Sequence, residues 1–156
     1  MKRLIAVLIA CLCFLSGCGG SGKGGGLSVT PVEAAEQIYS QVEFKDNLLA
    51  AENDVLENYY PGIGALADNA VAFISGSGGT AEEIAVLQAK NIDDVEKLRE
   101  LAENRVEELK FRFENYVPAE MVKLDSATVV VKGDAVFLVI CDDAQSAADA
   151  IDALTK

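Results

Sequence analysis

The sequence predicts an α+β fold: an antiparallel four-stranded sheet built from two β-β-α units with helices on one face, plus N-terminal helices. Three observations carry this. Two pairs of apolar runs each lead to an Asp-Asp pair, at Asp93-Asp94 and Asp142-Asp143, and each pair opens an amphipathic stretch. The second pair of runs is joined by only Gly133-Asp134, and so tight a link favours a hairpin whose first residue takes positive φ. Ahead of both units lies a segment with helical rather than strand spacing.

Taken in chain order, Thr30-Pro31-Val32-Glu33 reads as a helix start, with Thr30 as cap, Pro31 at the first position and Glu33 closing a capping box. Val32, Ala35, Ile38, Tyr39 and Val42 make its apolar stripe. Phe44 to Leu49 reads as a second short helix, and Asn53 caps a third that runs to Tyr60 before Pro61-Gly62. Ala70 to Ser75 and Glu83 to Lys90 read as strands around a glycine-rich loop. The longest helix opens at Asn91-Ile92-Asp93-Asp94 and reaches Tyr116, with Val95, Leu98, Ala102, Val106, Leu109, Phe113 and Tyr116 as its stripe. Thr128 to Lys132 and Ala135 to Cys141 form the hairpin, and the last helix turns Ala144, Ala147, Ile151 and Leu154 inward.

Val136 to Ile140 is apolar at every position, as expected of a central strand covered twice. In Glu83 to Lys90, Ile84 and Val86 alternate with Ala85 and Leu87, so both sides of that strand carry apolar groups. Two helices on one face leave the other to be shielded by the N-terminal helices, a partner or a ligand. The N-terminal helices are the simplest cover, because their amphipathic stripes have nowhere else to pack.

Before all of this, Met1-Lys2-Arg3, the apolar run Leu4 to Leu15, and Leu15-Ser16-Gly17-Cys18 resemble the signal of bacterial lipoproteins. The apolar run is well short of the ~20 residues needed to span a bilayer and fits a signal-peptide core. The resemblance implies cleavage before Cys18, lipidation of its sulfur, and a protein on the outer side of the cell membrane facing away from the cytoplasm. Residues 1–17 are then the signal, 18–29 the lipidated Cys and a glycine-rich tether, and 30–156 a single domain. Gly19 to Gly26 buries nothing and reaches roughly 16 Å as a flexible chain.

Composition narrows the chemistry. The formal charge is −12, and loss of Lys2 and Arg3 with the signal makes the remainder more acidic. Nucleic acid is excluded as a partner, since phosphate binding needs clustered cations. The chain has no His, which removes Ser-His-Asp and Cys-His catalysis and the commonest zinc ligand, and no calcium-loop pattern. No metal site, cofactor or catalytic residue is assigned. Cys11 and Cys13 fall in the signal, so with Cys18 acylated Cys141 has no disulfide partner and reads as a buried apolar residue.

The candidate binding loop is Ser75, Gly76, Ser77, Gly78, Gly79 and Thr80, whose small residues expose backbone N–H groups beside three hydroxyls. A plain hairpin connection explains the same residues. The acidic pairs Glu82-Glu83, Asp93-Asp94 and Asp142-Asp143 fall at element boundaries, where solvation or capping accounts for them.

Gly79-Thr80-Ala81-Glu82-Glu83-Ile84-Ala85-Val86, the following Ala89-Lys90, and Val136 to Ile140 before an Asp pair resemble small lipoproteins of Gram-positive bacteria grouped as a domain-of-unknown-function family. The resemblance spans Pro31 to Leu154. It implies an anchored extracytoplasmic protein and brings no catalytic or binding residues. The expected function is a non-enzymatic module that binds an envelope protein or peptide. The alternatives are a cell-wall hydrolase working through two carboxylates ~5–9 Å apart, and an accessory subunit of a membrane complex, which would expose an apolar patch.

Overall fold

The computed structural model describes residues 27–154; the signal expected at 1–17, Cys18 and the glycine-rich stretch up to Gly26 lie outside the described residues. In chain order the elements are α1 (Pro31–Gln41), β1 (Leu48–Ala50), α2 (Asn53–Tyr59), α3 (Ile63–Leu66), β2 (Ala67–Ser75), β3 (Glu83–Ala89), α4 (Val95–Tyr116), α5 (Met121–Asp125), β4 (Thr128–Lys132), β5 (Ala135–Ile140) and α6 (Ala144–Leu154). The strands form one sheet in the order β1-β2-β3-β5-β4, antiparallel at every pairing.

The sheet has five strands, not four. Leu48–Ala50, expected at the end of a short helix, pairs with β2 in the register Leu48↔Ser75, Leu49↔Ile74 and Ala50↔Phe73. Leu and Ala favour helix in isolation. Here they satisfy the outer edge of β2, which would otherwise present unpaired N–H and C=O groups.

The helices occupy both faces, not one. On the first face α4 packs Leu98, Ala102, Val106 and Leu109 with Ala85 and Leu87 of β3 and Val136 and Leu138 of β5. On the second, α1 supplies Ala34, Ala35 and Ile38 and α6 supplies Ala147, Ile151 and Leu154, over Ile84, Val86, Phe137 and Val139. The cause is the double-sided β3 and β5, where all of Ala135 to Ile140 is buried. β3 and β4 are each antiparallel to β5 and so run parallel to one another. The chain therefore crosses over β5 through α4, which commits α4 to one face and leaves the other to α1 and α6. A twofold axis through a sheet of related β-β-α halves would place both helices on the same face. The echo between the halves thus reflects the small menu of ways to cover a sheet.

Local signals account for the ends of these elements. Thr30 Oγ1 accepts from the Glu33 N–H at 3.3 Å while Glu33 Oε2 accepts from the Thr30 N–H at 2.8 Å, closing the capping box at the start of α1. Gly133 has φ 59°, the conformation the two-residue β4–β5 turn requires. Asp143 Oδ1 accepts from the N–H groups of Gln145 and Ser146, both at 3.1 Å, at the head of α6. A single 3-10 turn, Ile92–Asp94, precedes α4. The α4 stripe differs from expectation at two places: Tyr116 is 72% exposed, and Arg105 is buried. Ahead of α1, Leu27 and Val29 pack against the α1–α6 core.

Candidate functional site

β3 begins at Glu83, directly after Glu82, a pair that the sequence places at a solvated boundary, and both are buried. A buried carboxylate must be paired and hydrogen-bonded. Glu83 Oε2 accepts from Arg105 Nη2 at 2.8 Å and Nε at 3.0 Å, and Glu83 Oε1 accepts from the Tyr60 hydroxyl. The Arg105 guanidinium in turn lies 3.7 Å from the Tyr59 ring centroid. Burial works against the Arg105 charge, but Glu83 beside it outweighs that and holds the guanidinium above its ordinary value. Burial and the adjacent Glu83 charge both push the Tyr60 phenol well above its usual range.

Glu82 is tied into a second network. Its Oε1 accepts from Lys123 Nζ at 2.9 Å and the Lys45 N–H at 3.0 Å; its Oε2 accepts from the Asp46 N–H at 2.9 Å and Thr80 Oγ1 at 3.3 Å. Lys123 also meets Glu120 at 3.0 Å, and Glu120 accepts from the Ala81 N–H at 2.9 Å. Burial opposes the Lys123 charge, yet the bonds to Glu82 and Glu120 raise its pKa overall. Glu82 thus pins the segment entering β3 to Lys123 of α5 and to the backbone of the loop before β1.

The candidate loop sits on top of these networks, closed by Asp46. Ser75 Oγ and Ser77 Oγ both donate to Asp46 Oδ2, the latter at 2.6 Å, and the Ser77 N–H donates at 3.1 Å. These bonds, led by the one from Ser75, hold the Asp46 carboxyl down at about 2. The Gly78 N–H donates to Ser75 Oγ at 3.1 Å and the Gly79 N–H to Ser77 Oγ at 3.0 Å. Gly76 passes close to β1: a Cβ there would lie 2.8 Å from the Asn47 carbonyl oxygen.

Ser75, Gly78 and Thr80 line a small cleft of about 50 Å³ between the loop and α4; Gly76, Ser77 and Gly79 do not. Glu83, Arg105 and Tyr59 contribute its polar wall, with Leu109 and Phe113 beside them. Arg112 stands at the same cleft, exposed, and meets no carboxylate among the described residues. The cleft therefore offers one neutralised guanidinium, one unpaired guanidinium and a rigid rim of small residues.

Sequence reasoning missed Tyr60, Arg105, Glu120 and Lys123. Their signal was present only as charges out of place, Arg105 standing one position before Val106 of the α4 stripe. Elsewhere, Cys141 is buried, with its thiol pushed up by burial, and its Sγ donates to the Asp143 carbonyl at 3.2 Å. Among the described residues no group of His, Cys, Asp and Glu is arranged to hold a metal ion. No described helix is long and apolar enough to cross a membrane.

These two networks lie within the segment that a family model matches, residues 40–141, under the description Domain of unknown function (DUF4358). The chain belongs to the DUF4358 family. The match covers about two thirds of the sequence, from the end of α1 to the end of β5. It takes in Glu82, Glu83, Arg105, Glu120 and Lys123, the whole of both buried networks, and leaves α6 outside. No curated protein and no solved structure matches this DUF4358 chain.

Proposed function

We propose that this DUF4358 protein is a lipid-anchored, extracytoplasmic, non-enzymatic binding module, held at the cell membrane through Cys18 and binding an envelope protein or peptide at the cleft beside Ser75 to Thr80. The observation that carries the binding role is the state of the cleft's acids. Each oxygen of Glu82 and Glu83 accepts two bonds from within the fold, so both carboxylates are saturated internally and ill placed to act on a substrate as acid or base. This favours binding over hydrolysis by paired carboxylates. The unpaired Arg112 beside a preformed rim suits a carboxylate-bearing ligand. An accessory role through an open sheet face has no support, since both faces are covered.

Two measurements test it. Mass spectrometry of the purified protein should show an acylated N-terminal Cys18, and Cys18→Ser should move the protein from the membrane fraction to the medium. A photo-crosslinking residue at Thr80 should capture one envelope component, and Arg112→Glu should abolish that product while leaving the fold intact. An unmodified Cys18 sinks the anchor. Crosslinking unaffected at Arg112→Glu sinks the cleft.

A further inference from the structure

We propose that the outer edge of β4 is a docking rail on which an extended cationic peptide segment adds as a sixth strand. β4 is terminal in the sheet order. The two-residue turn makes Lys132 and Ala135 the closing pair of the hairpin, and β4 pairs with β5 without a register break from there to Thr128↔Val139. Antiparallel alternation then directs the backbone of Thr128, Val130 and Lys132 toward β5, and that of Val129 and Val131 outward. Among the described residues no loop or helix donates to or accepts from those outward groups. The opposite edge differs, since β1 is only three residues long.

Edge strands are ordinarily blunted by proline, a bulge or charges. β4 has only Lys132, and Asp152 engages it at 2.8 Å. On the α4 side of the strand runs an open groove of about 550 Å³, with Val106, Leu124 and Val129 lining it and Val131, 39% exposed, on the same face as Val129. Alternate side chains of an added strand would drop into it. Carboxylates also border this groove: Glu103, Glu107 and Asp125. Lys110 spans the last two at 3.1 and 3.6 Å, and Arg99 is shared between Glu103 and Glu96, so negative charge remains in excess. A second copy of this acidic chain would set those carboxylates against their own kind. Backbone edge, apolar groove and acidic border together fit an extended segment alternating Lys or Arg with apolar residues. This surface is distinct from the cleft beside Ser75 to Thr80 and does not depend on it.

The test uses the full-length chain in a neutral detergent and two acetylated, amidated probes, four Lys-Val repeats and four Glu-Val repeats. Bound Lys-Val probe should slow exchange of the Val129 and Val131 amides and leave Val130 unchanged, while Glu-Val does not bind. Val131→Pro removes one outward donor without touching the β4–β5 ladder, and should weaken the Lys-Val probe by about tenfold or more. The pair Glu107→Lys and Asp125→Lys, exposed and outside the core, should weaken it comparably. Binding of neither probe, equal binding of both, or Lys-Val binding without protection at Val129 and Val131 overturns the proposal. So does protection of those amides in a dimer without peptide, which would make a second copy the occupant.

Discussion

Lys123 is the side chain on which most of the site's internal charge depends. It is buried, and it is the cation that Glu82 and Glu120 share. Lys123→Met leaves both carboxylates without their cation and should cost about 3–5 kcal/mol in a urea unfolding experiment. Adding Glu82→Gln and Glu120→Gln should recover part of that loss, because the uncompensated charge, more than the missing contact, is what destabilises. Asp46 gives a pH signature with a definite sign. Its folded pKa, about 2, lies below the ordinary 3.8, so its stabilisation of the loop is complete above that ordinary value and is lost as pH falls through the folded one. Protection of the Ser77 amide, measured against its intrinsic exchange rate at each pH, should fall across that acid window, and in Asp46→Asn it should be low already at neutral pH. None of these partnerships was legible along the chain. Glu83 and Arg105 are 22 positions apart and Glu82 and Lys123 are 41 apart, and no local pattern marks a charge whose counter-ion arrives from another element.

Among the elements, those governed by local patterns were legible. The α4 stripe, the Gly133-Asp134 turn and the β4–β5 hairpin all rest on spacings of a few residues; the two strands end within one residue of expectation, and α4 ends at Tyr116 as expected but starts at Val95, after the 3-10 turn Ile92–Asp94. β1 was misread because three apolar residues have no period of their own; only the free edge of β2 makes them a strand. Gly76 is where that edge contact is tightest. Gly76→Ala would push a methyl group against the Asn47 carbonyl, a backbone atom that cannot swing away, so β1 must shift. The expected cost is about 1–3 kcal/mol in thermal unfolding, with exchange rising first at the β1–β2 amides. A variant as stable as the parent would show that β1 is held loosely.

At the scale of the whole molecule, the sheet is the wall between two cores, and each is large enough to matter alone. Leu98 on α4 and Ile151 on α6 are both fully buried, on opposite faces. Leu98→Ala and Ile151→Ala should each cost about 2–5 kcal/mol in chemical denaturation. Their effects should add to within about 0.5 kcal/mol, because the sheet separates the two cavities. Ile151→Ala costing little would show that α6 does not seal its face.

The sequence by itself determined α1, α4, α6 and the strands β3, β4 and β5, the hairpin turn, the α+β class, and that β3 and β5 need apolar cover on both sides. Those properties are written in the period and capping of neighbouring residues. Tertiary structure alone decided that α4 and α6 part to opposite faces, that Leu48–Ala50 joins the sheet, and that two adjacent glutamates are buried. Each of those outcomes is a choice among partners far apart in the chain. Such a choice is settled by the energy of closing the crossover, filling the core and pairing charge in three dimensions, and none of these is a property of any short segment.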